Sequence, residues 1–522
     1  MSSLHTRPNT QKLAFATDDA LSAKGGSVRT PGRSTRRAVA TRARQSADGP
    51  YTGRAAFFVN GKDGSSECAD GLNALLQKGH HKVALCNPPF GTGLLETRPA
   101  VLKKFVLARV SADPDGQLLD RQEIGLLFVE WCLSAVHPGG RVGLIVPNGY
   151  LGNRGARYVD FRRWLLSEAR VAAVVGFPRF SFKRSGADVS ASVVVLERRH
   201  AQITDLSAVT DHPIYFGLVD KIGWNLQSKQ PQPMYKRNPQ DGSYILGADG
   251  SYVRDTSFEE ITQELRSSKV AEAFPWIGAE RNTVAKSDDS CIQLSHILER
   301  ADLCLDPKRW CRKHREVVQA VRARPQHFVL GEVIRPISRA FSKQADARYR
   351  FVEIESIVES LGTYLDQECY GWELPQRCRL LAAPGDIFLA RIWSSVGKWM
   401  IVGEDSKDGR LVVTSGCAQF ELIPDKQEML LDLVFGLSTE AYKVQMRARS
   451  TGSDGLSSVS TDDITSIVLP RIDRARSREA LKPWLDKAMR GGLALAPLTR
   501  AELARTAPHL DIPPRSSHTG QV

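Results

Sequence analysis

Apolar and polar positions alternate in two different rhythms along the first 200 residues. Short unbroken apolar runs recur at AAFFV (55–59), KVALC (82–86), RVGLIVPNGYL (141–151), VAAVVGFP (171–178) and ASVVVLER (191–198). Runs of that length bounded by turn residues read as buried strands. Between them lie segments with helical spacing: GLNALLQKG (71–79), EIGLLFVEWCLSAV (123–136) and FRRWLLSEA (161–169). Gly79 ends the first of these helices, and His137-Pro138-Gly139-Gly140 stops the second. Strands alternating with helices predict an α/β layer whose sheet is mostly parallel and covered on both faces.

The texture then changes. KQPQPMYKRNPQDGSYILGADGSYVRD (229–255) is polar and rich in turn residues, and reads as a connector. A second unit follows. It has a helix at DPKRWCRKHREVVQAVRA (306–323) and short strands at YRFVEI (349–354), GDIFLARI (385–392), WMIVG (399–403), RLVVTS (410–415) and AQFELI (418–423). MLLDLVFGLSTEAYKVQMRARS (429–450) is helical again, so this unit reads as α+β. The expected division is a basic disordered segment over 1–50, an α/β domain with its connector over 51–285, an α+β domain over 286–475 and a tail over 476–522.

Composition narrows the partners. The 522 residues carry a formal net charge of +13, which favours an acidic partner such as nucleic acid. GRSTRRAVATRARQ (32–45) adds a basic run without apolar periodicity, either a solvated arm or a phosphate-binding tail. No apolar run is long enough to span a bilayer, and no signal-peptide pattern opens the chain. The nine cysteines lack paired spacing, as in a reducing compartment, so a cytoplasmic, prokaryotic setting is expected. Cys304, Cys311 and His314 come nearest to a metal cluster, but their spacing fits no zinc pattern; no metal is expected.

One stretch asks for chemistry rather than packing. The strand KVALC runs straight into Asn87-Pro88-Pro89-Phe90, followed by Gly91 and Gly93. In an open α/β sheet, ligands sit beyond the carboxyl ends of the strands. Two adjacent prolines fix the backbone and remove two donors, so nearby carbonyls can stand as unpaired acceptors. The Asn87 side-chain oxygen is another acceptor, and Phe90 offers an aromatic face. Two converging acceptors beside a ring suit a planar heterocycle with an exocyclic amine. The glycines let the chain turn closely round such a ligand.

This segment resembles motif IV of the DNA amino-methyltransferases, in the Asn-Pro-Pro-Phe form of adenine-specific enzymes. In that family the target base is flipped out of the duplex and its amine attacks the methyl group of S-adenosylmethionine directly. The resemblance implies that Asn87 and the Pro88 carbonyl hold the amine, within the Asn87, Pro88, Pro89 and Phe90 constellation, and that Phe90 stacks on the base. The order LCNPPFG, EIGLLFVEWCLSAV, HPGGRVGLIVPNGYL, FRRWLL and VVGFPRFSFKRSGADVSASVVVLER further resembles the modification subunits of type I restriction-modification systems, over roughly residues 70–200. It implies a Rossmann-like methyltransferase sheet with Pro147-Asn148 and Phe177-Pro178 at the site. Phe182 reads equally as a wall of the base pocket or as plain packing.

The chain departs from that family in one respect. No glycine-rich strand-turn-helix of the Asp-Pro-x-x-Gly-x-Gly kind precedes the motif, so the sheet is expected to be N-terminally incomplete. Asp63, after FFVNGK, is the candidate for the ribose hydroxyls of the cofactor, against a reading as a turn residue. A truncated chain, a missing half supplied by a second polypeptide, and an unfamiliar donor site are the competing explanations; truncation is the expectation.

The second unit resembles the target recognition domains of type I specificity subunits. The carriers are YRFVEIESI (349–357), APGDIFLARIWSSVGKWMIV (383–402), VVTSGCAQF (412–420) and RSTGSDGLSSVSTDDITSIVLPRI (449–472). Gly385-Asp386 reads as a tight turn. Arg348, Arg391 and Lys398 are the candidate phosphate and base-edge contacts. The resemblances together imply a site-specific adenine methyltransferase acting on double-stranded DNA, with possible partners among other restriction-modification subunits and no membrane. The alternatives are a non-catalytic DNA-binding remnant or specificity-type module, and an RNA or release-factor methylase. No nuclease motif is found.

Overall fold

The computed structural model describes residues 79, 81–89, 94–182, 189–226, 231–278, 290–339, 341–359, 362, 364–452, 457–472 and 475–490. Asp63, Phe90, the basic segment 1–50, the strand expected at 55–59 and nearly all of the helix expected at 71–79 lie outside these residues. Gly79 itself adopts the left-handed conformation (φ 77°) and donates its N–H to the Ser134 carbonyl, at 2.9 Å.

The first unit is built round one six-stranded sheet. Its strands are β1 (His81–Cys86), β4 (Val136–Pro147), β5 (Ala169–Gly176), β6 (Ala191–Arg198), β7 (Pro213–Leu218) and β10 (Cys291–Gln293), in the spatial order β1-β4-β6-β5-β7-β10. Two short pairs flank it, β2 (Leu95–Glu96) with β3 (Gln122–Glu123) and β8 (Trp224–Asn225) with β9 (Gln232–Pro233). β1 is parallel to β4, and β5 to β7. β6 lies between β4 and β5, antiparallel to both, and β10 is antiparallel to β7.

A mostly parallel sheet was expected, and the pairings correct this to a mixed one. β6 follows β5 along the chain and returns directly alongside it, as an antiparallel neighbour does. Even so, β1, β4, β5 and β7 all point the same way. Their carboxyl ends therefore meet at one edge of the sheet.

Helix Ile124–Ala135 packs on this sheet. It is apolar nearly all round, and eight of its twelve residues are buried, as a helix sunk into a core must be. It ends where the sequence places its stop, but Val136–Gly140 is already strand rather than turn. Gly139, at φ 75°, and a register shift opposite His81–Val83 absorb the kink. Helix Ala156–Glu168 inserts Phe161, Trp164, Leu165 and Leu166 into the same core.

Two segments expected outside the sheet belong to it. Pro213–Leu218 falls in what reads as the approach to the connector, yet it is a buried strand, with Ile214, Tyr215 and Phe216 almost wholly enclosed. Cys291–Gln293 lies past residue 285, where the first domain was expected to end, and still pairs with β7.

The second unit has two four-stranded sheets and a covering of helices. The remaining strands in chain order are β11 (His327–Val329), β12 (Ile334–Pro336), β13 (Arg348–Val352), β14 (Gln367–Tyr370), β15 (Cys378–Leu381), β16 (Ile387–Ala390), β17 (Trp399–Ile401), β18 (Leu411–Thr414), β19 (Cys417–Leu422) and β20 (Val468–Pro470). One sheet has the order β12-β19-β16-β17 and the other β14-β13-β18-β15. β11 and β20 form a separate antiparallel pair that ties the unit's beginning to its end. Helices Leu430–Leu437 and Glu440–Arg449 bury Phe435, Tyr442 and Met446 against Trp399 and Phe420.

The helix expected over 306–323 is two helices, Pro307–Trp310 and Arg312–Arg322, because Cys311 is extended (ψ 149°). The tail expected from 476 begins instead with helix Ala475–Arg490. Leu485 of that helix is buried in the second core, and Arg478 donates to the fully buried Asp432 carboxylate.

Candidate functional site

Of the residues singled out from the sequence, Asn87, Pro88, Pro89, Pro147, Asn148, Phe177 and Pro178 follow or end strands at the carboxyl edge of the first sheet. Asn87 follows β1 and is exposed, and its side chain makes no hydrogen bond among the described residues. Pro88 is buried and Pro89 half-buried, so the rings anchor the turn and leave the amide free. Beyond the turn the chain is fastened again: Ile124 N–H donates to the Leu94 carbonyl at 3.1 Å, and β2 pairs with β3.

The neighbouring strand ends are just as constrained. Asn148, after β4, is buried; its Oδ1 accepts from Ser192 Oγ at 2.7 Å and its backbone N–H donates to Ser190 at 2.8 Å. Phe177, after β5, donates its N–H to Ala191 at 2.9 Å. Its ring meets Phe182 edge-on at 6.0 Å and Phe258 at 6.2 Å. Phe182 therefore takes part in packing at this edge. Ser192, which locks the Asn148 side chain, was not singled out from the sequence, since a serine inside an apolar strand carries no distinctive spacing.

A second polar group went unread. Glu123, at the start of helix Ile124–Ala135, accepts from Tyr158 Oη at 2.6 Å and from Arg157 at 3.3 Å. Tyr150 stacks on Tyr158 at 5.9 Å, and burial together with the Glu123 charge pushes both phenols well above their ordinary range. These tyrosines remain neutral hydrogen-bonding groups at any working pH. They fix helix Ala156–Glu168 against the start of the other helix.

The second unit is rooted on this same edge. Leu305 N–H donates to Leu151 at 2.8 Å, and the Pro307 ring lies where a Cβ on Gly176 would stand, 2.9 Å away. Asp463 is the centre of the junction. Its carboxylate accepts from Arg154 at 2.7 Å and from Arg309 at 2.6 Å, and Ser460 Oγ is shared with Arg154 at 2.8 Å. Arg162, wholly buried, donates to the Tyr150, Asn153 and Asp302 carbonyls from beneath.

Cys304, Cys311 and His314 adjoin this junction. His314 Nδ1 lies 2.7 Å from the Arg309 carbonyl, a contact only an N–H can make, so Nε2 is the acceptor facing Arg449 at 3.0 Å. Burial, and then the Arg449 charge, lower the His314 pKa to about 3. Both ring nitrogens are engaged. Cys304 and Cys311 are buried thiols whose pKa values burial raises.

The candidate DNA contacts of the second unit have different surroundings. Arg348 is exposed; its Nη2 donates to Tyr370 Oη at 3.2 Å and its guanidinium lies 5.3 Å from that ring. Arg391 is half-buried and pairs through its backbone with Gly416 and Val459. Lys398 is turned inward: its Nζ donates to the Ile354 and Glu355 carbonyls at 2.9 and 3.3 Å. Gly385 makes the expected tight turn at φ 86°, and Asp386 after it is buried, taking two bonds from Arg339 at 3.0 and 2.8 Å. Its burial was not legible from the sequence.

Residues 59–264 match the family model described as N-6 DNA Methylase. No curated protein matches the chain. Among solved structures, the type I restriction-modification system methyltransferase subunit from Streptococcus thermophilus is 15% identical, with 44% of this chain and 38% of that one covered and a TM-score of 0.26. The HsdS subunit from Thermoanaerobacter tengcongensis is 20% identical over 31% of this chain and 42% of that one, with a TM-score of 0.26. The type IIG restriction endonuclease BpuSI is 12% identical over 78% of this chain and 49% of that one, with a TM-score of 0.33. TM-scores this low mark a likeness and nothing more. The chain spans less than half the length of the first solved structures it matches.

Asn87-Pro88-Pro89 thus lies within the part of the chain that matches the N-6 DNA Methylase model, and S-adenosylmethionine is the methyl donor such a match implies. The chain resembles the adenine-specific modification subunits of restriction-modification systems. Among the described residues, no helix is long and apolar enough to cross a membrane.

Proposed function

We propose that this chain is a site-specific adenine methyltransferase of a restriction-modification system, acting on double-stranded DNA. A Rossmann-like sheet presents the target amine, and a target recognition unit selects where. The observation that carries the reading is the free Asn87 amide on a proline-anchored turn at the carboxyl edge of β1, inside the segment that matches the N-6 DNA methylase family. Asn87 Oδ1 and the Pro88 carbonyl accept the two protons of the flipped adenine's amine, and Phe90 stacks on the base. Accepting both protons aligns the nitrogen lone pair away from the protein, toward an incoming methyl group.

S-adenosylmethionine would supply that methyl group. The described residues do not form a cradle for it. No glycine-rich strand-to-helix turn stands beside β1 among them, and Val83 and Leu85 on that strand are 39% and 57% exposed. This favours, as a second reading, a DNA-binding remnant without methyl transfer.

Calorimetric titration of S-adenosylmethionine into the 522-residue chain, followed by transfer of labelled methyl groups to unmethylated duplex DNA, separates the two. Saturable binding and transfer in the wild type, lost by about a hundred-fold or more in Asn87→Ala, is the expected outcome. Retention of DNA binding with no donor binding would establish the remnant.

A further inference from the structure

We infer that Tyr370, Trp372 and Arg348 form a rigid contact platform for duplex DNA on the second unit. The inference rests on the reading of that unit as the one that selects DNA. β14 is the outer strand of its sheet, and Tyr370 at its end is the direct cross-strand partner of Arg348 on β13. The Tyr370 and Trp372 rings are stacked with nearly parallel planes, at 9° with centroids 6.4 Å apart. Trp372 is 64% exposed, the most exposed of the large apolar side chains among the described residues, and Tyr370 is 39% exposed.

An exposed indole that merely dangled from a loop would mean little. This one stands on a fastened turn. Gly371 N–H donates to Ala347 at 2.8 Å, Trp372 N–H to Ala345 at 3.1 Å, and Tyr370 N–H to the Glu373 carboxylate at 2.8 Å. Gly371 sits so close to the Gln344 carbonyl that a Cβ would come within 1.9 Å of its oxygen. The glycine is needed for that approach, which holds the backbone carrying the ring. The entropy of ordering that backbone is already lost in the free protein.

The chemistry favours nucleic acid over a protein partner. Arg348 forms no ion pair among the described residues, and its one side-chain hydrogen bond goes to Tyr370 Oη. A fork of N–H donors is left for a phosphate, beside a flat aromatic face that fits a sugar or a base edge. Glu368 on β14 is the acidic group whose charge reaches Arg348, without an ion pair, and the Glu373 carboxylate on the turn is occupied by the Tyr370 N–H.

The test uses the full chain and a fluorescein-labelled duplex of mixed sequence, with anisotropy read over a series of salt concentrations. Trp372→Ala should weaken binding roughly ten-fold, and Trp372→Phe should recover most of it. Arg348→Gln should reduce the salt slope by about 1. The exposed positions leave the thermal midpoint unchanged in all three. Wild-type binding matched by Trp372→Ala and Arg348→Gln would overturn this inference alone. Failure of the wild type to bind duplex DNA would overturn both the inference and the functional reading it rests on.

Discussion

The two units bury different things. The first closes a mixed sheet with aliphatic and aromatic side chains, and exposes its candidate chemistry at one edge. The second hides carboxylates. Asp386, Asp432 and Asp463 are each at least 98% enclosed, and each is bound by arginine: Arg339 on the first, Arg471 and Arg478 on the second, Arg154 and Arg309 on the third. A unit made of two small sheets has little apolar area per strand, and directional ion pairs fix how such pieces sit. The difference teaches that the first unit should tolerate changes at its site, whereas the second should be sensitive at single charges.

The largest effect is expected at the junction. Asp463→Ala strands two arginines, one nearly buried, and should cost about 3–5 kcal/mol. In denaturant it should also split one unfolding transition into two, since the same carboxylate joins the units; a single unshifted transition would show that the junction contributes nothing.

Acid is the next lever. His314 is held neutral, with its pKa lowered to about 3 against an ordinary 6.5, so the unfolded chain binds more protons between those values. Its contribution is complete above pH 6.5 and is lost as pH falls toward 3, at up to about 1.4 kcal/mol per pH unit. His314→Gln should flatten the fall in denaturant midpoint over that window. His212, with burial lowering its pKa to about 4, adds a similar slope from the first unit.

Smaller still, Lys398→Ala removes the donor to the Ile354 carbonyl and should cost about 1 kcal/mol in urea melts. If DNA affinity fell while the melt stayed unchanged, the ammonium would be a ligand contact after all. Smallest is Asn87→Ala. Its amide is exposed and unbonded, so stability should move by no more than about 0.5 kcal/mol even where methyl transfer is lost.

These contrasts also explain what was readable in advance. β1, β4, β5 and β6 were legible because unbroken apolar runs bounded by turn residues leave few alternatives, and helices Ile124–Ala135 and Ala156–Glu168 because their apolar positions follow helical spacing. Asn87-Pro88-Pro89 stood out because a strand rarely ends on an amide and two adjacent prolines, and the structure places it directly after β1. β7 and β10 escaped because a short apolar stretch beside turn residues reads as connector until its partner strand is known. Helix Ala475–Arg490 escaped behind its internal Pro483 and dense charge. The buried aspartates could not be found at all. Each carboxylate is enclosed by an arginine from a distant part of the chain, Arg339 for Asp386, Arg471 and Arg478 for Asp432, Arg154 and Arg309 for Asp463, and no local periodicity records that.

The pairing of β11 with β20 has a practical side. The sheets of the second unit are entered at His327–Val329 and left at Val468–Pro470, and these strands lie against each other. A module whose two ends share one doorway can be exchanged as a cassette, leaving the host sheet where it was. Asp463 travels inside that cassette while Arg154 and Arg309 stay behind. Any graft that is to sit correctly must bring an acid to that socket and a second one, in the place of Asp432, to Arg471 and Arg478 beyond the closing strand.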